Sequence, residues 1–124
     1  MREQDHVQPR SSDILLGRGG RNHENIGNQT LRKKAKDLAP EYAQLTKSDK
    51  ADMINNVLGD LLRNQVRFLR CKRPFDGTQY WEVADVKTAR GKVSQDLREA
   101  VKILKRNQAR KSLQQARSSG RSVQ

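Results

Sequence analysis

Three glycines interleaved with arginines, in Gly17-Arg18-Gly19-Gly20-Arg21, are the residues of this chain best suited to hold an anion. Glycine lacks a Cβ, so its backbone reaches positive φ and lets a phosphate or another main chain come close. Arg18 and Arg21 set guanidinium groups at the edge of that open backbone, able to grip phosphate oxygens or the edge of a guanine. Arg18 has a competing reading, in which it bridges to Asp13 or Glu82 and locks the loop. Ahead of the loop, Ile14-Leu15-Leu16 are three adjacent aliphatics that belong in a core, so they anchor it.

The other cations fall into three groups. Lys33, with Lys34 and Lys36, suits a phosphate-contacting strip, a nuclear import signal or a plain solvated helix face. Lys72 and Arg73 open the tip of a hairpin. On a wheel of about 100° per residue, Lys87, Arg90, Arg98, Lys102 and Lys105 line one flank of the last helix. Asp96 and Glu99 fall on the opposite flank. A helix charged only for solubility mixes its signs around the polar arc, so this sorting points to an anionic partner. Of the net charge of +12, residues 87–124 supply +9, from eleven Lys/Arg against two carboxylates. With an isoelectric point near 10.5, this is the footprint of a nucleic-acid or anionic-surface binder.

Enzyme signatures are missing. The glycines are not followed by the Gly-Lys-Ser/Thr of a phosphate-binding loop of the Walker type. His6, His23 and Cys71 do not make a zinc set, so no metal or cofactor is expected. Cys71 reads as structural rather than as a nucleophile activated by His23. The carboxylates suit helix capping and ion pairing more than acid–base catalysis. A lone cysteine, a polar start without a secretory apolar region and the lack of a long apolar run predict an intracellular protein that does not enter membranes. Asn28-Gln29-Thr30 matches the glycosylation pattern only by coincidence on that view.

The elements that must position these groups are modest, since hydrophobic residues make up 33% of the chain. The reading is a flexible leader over 1–12, a single small domain over 13–106 and a basic, disordered tail over 107–124. Asn28 stands as N-cap of a helix carrying Leu31, Ala35 and Leu38, which Pro40 ends. Ile54, Val57, Leu58, Leu61 and Leu62 repeat at helical spacing and predict a helix over 49–63. Val66 to Arg70 and Tyr80 to Val83 read as strands around the Asp76-Gly77 turn, with Trp81 in the core. Asp85 caps a last helix whose buried stripe is Val86, Ala89, Val93, Leu97, Ala100 and Leu104. The fold class is α+β: two helices, a two-stranded β-hairpin and a long C-terminal helix, with disordered termini.

Asp13-Ile14-Leu15-Leu16-Gly17-Arg18-Gly19-Gly20, then Gly27-Asn28, Arg32 and Tyr42, resemble a domain family of unknown function that is abundant in diatoms. Arg67-Phe68-Leu69, Trp81-Glu82-Val83, Ala89, Lys92 and Ser94-Gln95-Asp96-Leu97-Arg98-Glu99 continue the resemblance, which covers roughly 13–100. The family tends to have two glycines where Asn64 to Val66 run here, and an aromatic where Leu31 stands. It implies no activity. The function expected from the residues is therefore non-enzymatic nucleic-acid binding, DNA before RNA, within a nuclear transcription regulator. A protein-interaction module and a nucleotide or phosphate-ligand domain centred on the glycine-rich loop remain open.

Overall fold

Ile14 and Leu15 form the two-residue strand β1 (Ile14–Leu15) in the computed structural model of the chain, which describes residues 6–17, 20–73 and 79–122. The further elements are α1 (Gly20–Glu24), α2 (Ile26–Gln44), α3 (Lys47–Arg63), β2 (Phe68–Lys72), β3 (Tyr80–Val83) and α4 (Val86–Ser122). β2 and β3 pair antiparallel, as a hairpin should, with Arg70 opposite Glu82 and Lys72 opposite Tyr80. The expected two-stranded unit is nevertheless a three-stranded sheet, because β1 joins parallel to β2 with Ile14 beside Phe68 and Leu15 beside Leu69. An apolar strand edge left open is a liability, and the aliphatic triplet covers it.

Side chains alternate across a strand, so Ile14 and Phe68 share the sheet face that the helices cover. Both are fully buried, among Leu31, Ala35 and Tyr42 of α2, Ile54, Val57, Leu58 and Leu61 of α3, and Ala89, Val93 and Leu97 of α4. Trp81 stands opposite Cys71 in the register and therefore lies on the other face. It is only half-buried, so the sheet's parity removes it from the core in which the sequence reading puts it.

α3 follows its apolar repeat, with Thr46 accepting the Asp49 N–H at 3.1 Å as N-cap. Its end is a Schellman motif: the Val66 N–H donates to Leu61 O and the Gln65 N–H to Leu62 O, each at 3.0 Å. Gln65 occupies the left-handed position at φ 62°.

α2 departs from expectation at both ends. It starts at Ile26 behind Asn25, so Asn28 is inside the helix and is not its cap. It also continues through Pro40 to Gln44. A proline removes one helical hydrogen bond, at a cost of about 3 kcal/mol. Beyond it Tyr42 is buried in the core, with the Lys50 ammonium 5.2 Å from its ring centroid, and that burial carries the helix on.

Asp85 caps α4 by accepting the Thr88 N–H at 2.7 Å. Hydrogen bonds from the Thr88 side chain and backbone hold the Asp85 carboxyl below its ordinary value. Past 106, where the sequence reading ends the ordered domain, α4 remains helical to Ser122, with every described side chain from Lys105 to Ala116 exposed. The leader is likewise attached over its described part: the Val7 N–H donates to Trp81 O at 3.0 Å and His6 stacks on Tyr80 at 4.1 Å. Among the described residues no helix is long and apolar enough to cross a membrane.

Candidate nucleic-acid interface

The glycine-rich segment is held from behind by a row of asparagines, Asn22, Asn25 and Asn28, spaced three apart. The Asn22 amide donates to Leu16 O at 3.2 Å and the Asn25 amide to Asp13 O at 2.6 Å. Asn28 accepts the Leu15 N–H at 2.7 Å and donates to Leu15 O at 2.9 Å. Gly27 brings α2 against the chain ahead of β1, its N–H donating to Ser11 O at 2.7 Å; a Cβ there would overlap the Asp13 carbonyl. Gly17 then turns the chain out of the strand at φ 109°, a region that favours glycine.

Asp13 is buried, and its carboxylate is gripped by Arg67, with Nε 3.0 Å from Oδ1 and a terminal guanidinium nitrogen 2.7 Å from Oδ2. Burial pushes the Asp13 carboxyl up, but the hydrogen bonds from Arg67 and the Arg10 N–H, with the charges of both arginines, hold it below its ordinary value. The hydrogen bond to Asp13 raises Arg67 in turn, against its own burial. Glu82 is engaged as well, accepting from Arg70 Nε at 2.6 Å with Lys72 Nζ at 3.7 Å. Both carboxylates open to Arg18 in the competing structural reading have other partners as well. Arg18 itself lies outside the described residues, as does the side chain of Arg21, whose backbone is in α1.

The parallel pairing of β1 with β2 sets the direction in which both chains leave the sheet. Neighbouring parallel strands release their following segments at the same end of a sheet. The loop beyond Gly17 and the tip beginning at Lys72 and Arg73 thus leave together, although the Asp76-Gly77 turn lies outside the described residues. Against the loop runs the first half of α4. Leu16 and Gly17 face Thr88, Gly91, Lys92 and Gln95 across an open cleft of about 400 Å³. Lys92 also bonds Asp96 Oδ1 at 3.1 Å, while Asp96, expected on a polar flank, is buried and its Oδ2 has no hydrogen-bond partner among the described residues.

Lys87, Arg98, Lys102 and Lys105 are all exposed, within roughly 60° of the α4 circumference. Lys102 lies 3.7 Å from Glu99, in an exposed pair. Arg90 belongs to a different contact: half-buried, it donates from Nε to Asn55 Oδ1 of α3 at 2.9 Å. Lys33 is exposed on α2, and its neighbour Lys34 stands 4.0 Å from Asp60.

A family model described as a domain of unknown function (DUF6824) matches residues 13–99. The chain belongs to that family. No curated protein and no solved structure matches the chain. The DUF6824 span begins at Asp13, the partner of Arg67, and ends at Glu99, so it takes in the loop, the sheet and the cleft-lining half of α4. It leaves Lys102, Lys105 and the rest of α4 outside.

Sequence reasoning missed three things in this DUF6824 domain. Lys92 was assigned to neither flank, yet it lines the cleft. Arg67 stands out in the sequence only as a family mark, although a buried Asp13 ahead of an apolar strand requires a cation. The asparagine row was visible as a three-residue spacing, but its use depends on β1 lying beside α2. Among the described residues no group of three His, Cys, Asp or Glu side chains could hold a metal.

Proposed function

We propose that this domain is a non-enzymatic nucleic-acid-binding module, for duplex DNA before RNA, and that it serves in a nuclear transcription regulator. The observation that carries the reading is the cleft in which Leu16 and Gly17, at the start of the glycine-rich loop, face Lys92 of α4, with the exposed cations Arg98, Lys102 and Lys105 further along the same helix. Lys72, Arg73, Lys87, Arg98, Lys102 and Lys105 contact phosphates, with Arg18 and Arg21 approaching the backbone or a base edge. Arg90 contributes by holding α4 on α3. Lys33, Lys34 and Lys36 suit an import signal.

Each phosphate contact releases counterions, so affinity for random duplex DNA falls steeply as salt rises. A salt titration tests this: absence of binding at low salt, or a flat salt dependence, overturns the reading. A second reading, a nucleotide or phosphate ligand, is favoured by the cleft between Gly17 and Lys92. A thermal-shift screen with nucleotides separates the two, since a ligand in the cleft stabilises the wild type but not Arg18→Ala or Lys92→Met.

A further inference from the structure

The distal part of α4 runs from Lys105 to Ser122, and from Lys105 to Ala116 its side chains pack on no other element among the described residues. All its described side chains are exposed, and its eighteen residues include six Lys/Arg and no carboxylate. Such a segment has little reason to be helical alone. Isolated helices of this length are marginal in water, and Asn107, Ser112, Ser118, Ser119 and Gly120 are weak helix formers. Arg106 with Arg110, and Arg117 with Arg121, are like charges four apart, which oppose the helix further.

The placement of the arginines supplies the missing stabilisation. At about 100° per residue the backbone positions of Arg106, Arg110, Arg117 and Arg121 fall within an arc of roughly 60°. These positions span ~22 Å of the helix axis, at about 1.5 Å rise per residue, as one ridge of sequence positions. Lys92, at the cleft, and the exposed Glu99 carboxylate both lie within the same arc, so the purely cationic line begins at Arg106; Lys105 and Lys111 stand off it. The arginines rather than the lysines occupy the line, and guanidinium groups bind phosphate in bidentate geometry.

We propose that this arm is a nucleic-acid-docking helix: it lies along duplex DNA with its arginine ridge on the phosphates, and the contact stabilises its helical state. The proposal rests on the nucleic-acid reading of the domain and extends it beyond the DUF6824 span. A polyanion removes the repulsion between the arginines and replaces the packing that the arm lacks. The major groove, about 12 Å wide, admits a helix of this kind.

The test uses the full chain, a variant carrying Arg106→Gln, Arg110→Gln, Arg117→Gln and Arg121→Gln, and a Lys111→Gln control, with random-sequence duplex DNA as the probe. The slope of log affinity against log salt is expected to drop by about 3 to 4 in the ridge variant, at about 0.9 per phosphate contact, and to hold in the control. The far-UV helical signal of the wild type rises when duplex is added at low salt, and this gain is lost in the ridge variant. A ridge variant with wild-type slope overturns the inference alone, provided that reversing Arg98 and Lys102 still weakens binding. A wild type that fails to bind at low salt overturns the domain reading with it. Helix gain on raising protein concentration without DNA, with dimers in sedimentation, assigns the arm to a second copy and also overturns the inference.

Discussion

The side-chain amide of Asn28 completes β1 by taking both backbone groups of Leu15, accepting its N–H at 2.7 Å and donating to its C=O at 2.9 Å. Ile14 and Leu16 donate their own N–H groups to Arg67 O, just ahead of β2, and to Leu69 O within it, each at 2.8 Å, so Leu15 turns its backbone groups to the sheet's outer edge. Asn28 stands there as a one-residue strand, buried inside a helix. Asn28 is also the acceptor position of the glycosylation pattern, and the residue is 3% exposed with its amide committed on both sides.

Asn28→Ala leaves a buried N–H and C=O without partners, which costs about 2–4 kcal/mol for the two groups. Asn28→Asp restores the acceptor but sets a carboxylate against Leu15 O, so it does not rescue. Chemical denaturation of both variants measures this, and a loss below about 1 kcal/mol in Asn28→Ala would show that water or a neighbour takes over.

Asp13 and Arg67 define a pH dependence with a clear sign. The folded-state value of Asp13 is lowered, so the unfolded chain takes up the proton first as pH falls below about 4. The pair's contribution is complete above the unfolded value and is lost as pH falls through the lower folded value. Asp85, also lowered, adds to the same acid-side fall. Denaturation midpoints of wild type and Asp13→Asn should therefore converge toward acid. At neutral pH Arg67→Met, which strands a buried carboxylate, should cost about 3 kcal/mol.

Gln65 sits at φ 62° in the C′ position of α3, where only glycine is free of the steric cost of the left-handed region. Gln65→Gly should raise stability by about 1 kcal/mol, read as a higher melting temperature. A lower melting temperature would mean that unfolded-state entropy outweighs the relief.

Gly91 offers a probe of the interface that leaves packing alone. A Cβ there meets nothing within 4 Å, and the residue borders the cleft beside Lys92. Gly91→Ala should stabilise the helix by about 1 kcal/mol with DNA affinity unchanged. Gly91→Glu should fold as well but bind DNA more weakly at low salt, and equal affinity of the two variants would exclude this side of α4.

Arg98→Glu with Lys102→Glu should weaken binding to all duplex sequences alike, because phosphates carry no sequence information. The salt slope should fall by about 2 at the same time. A loss confined to one sequence would instead assign these side chains to base edges.

Periodicity and charge determined much of this protein in advance. The apolar repeat from Ile54 to Leu61 implied α3, alternation around Phe68 implied a strand, and Asp85 marked the start of α4, because local spacing alone dictates which faces turn inward. The basic C-terminal third was equally legible. Pairing between distant segments was not, because a two-residue strand has no period of its own. Only the tertiary structure decided that β1 lies parallel to β2, so that Asn28 serves a strand instead of capping a helix and Asp13 belongs to Arg67. It also decided that α2 passes Pro40, since the burial of Tyr42 outweighs one lost hydrogen bond. The same long-range contacts turned the glycine-rich segment from an isolated anion-binding motif into a loop fastened by three asparagines, opening onto α4.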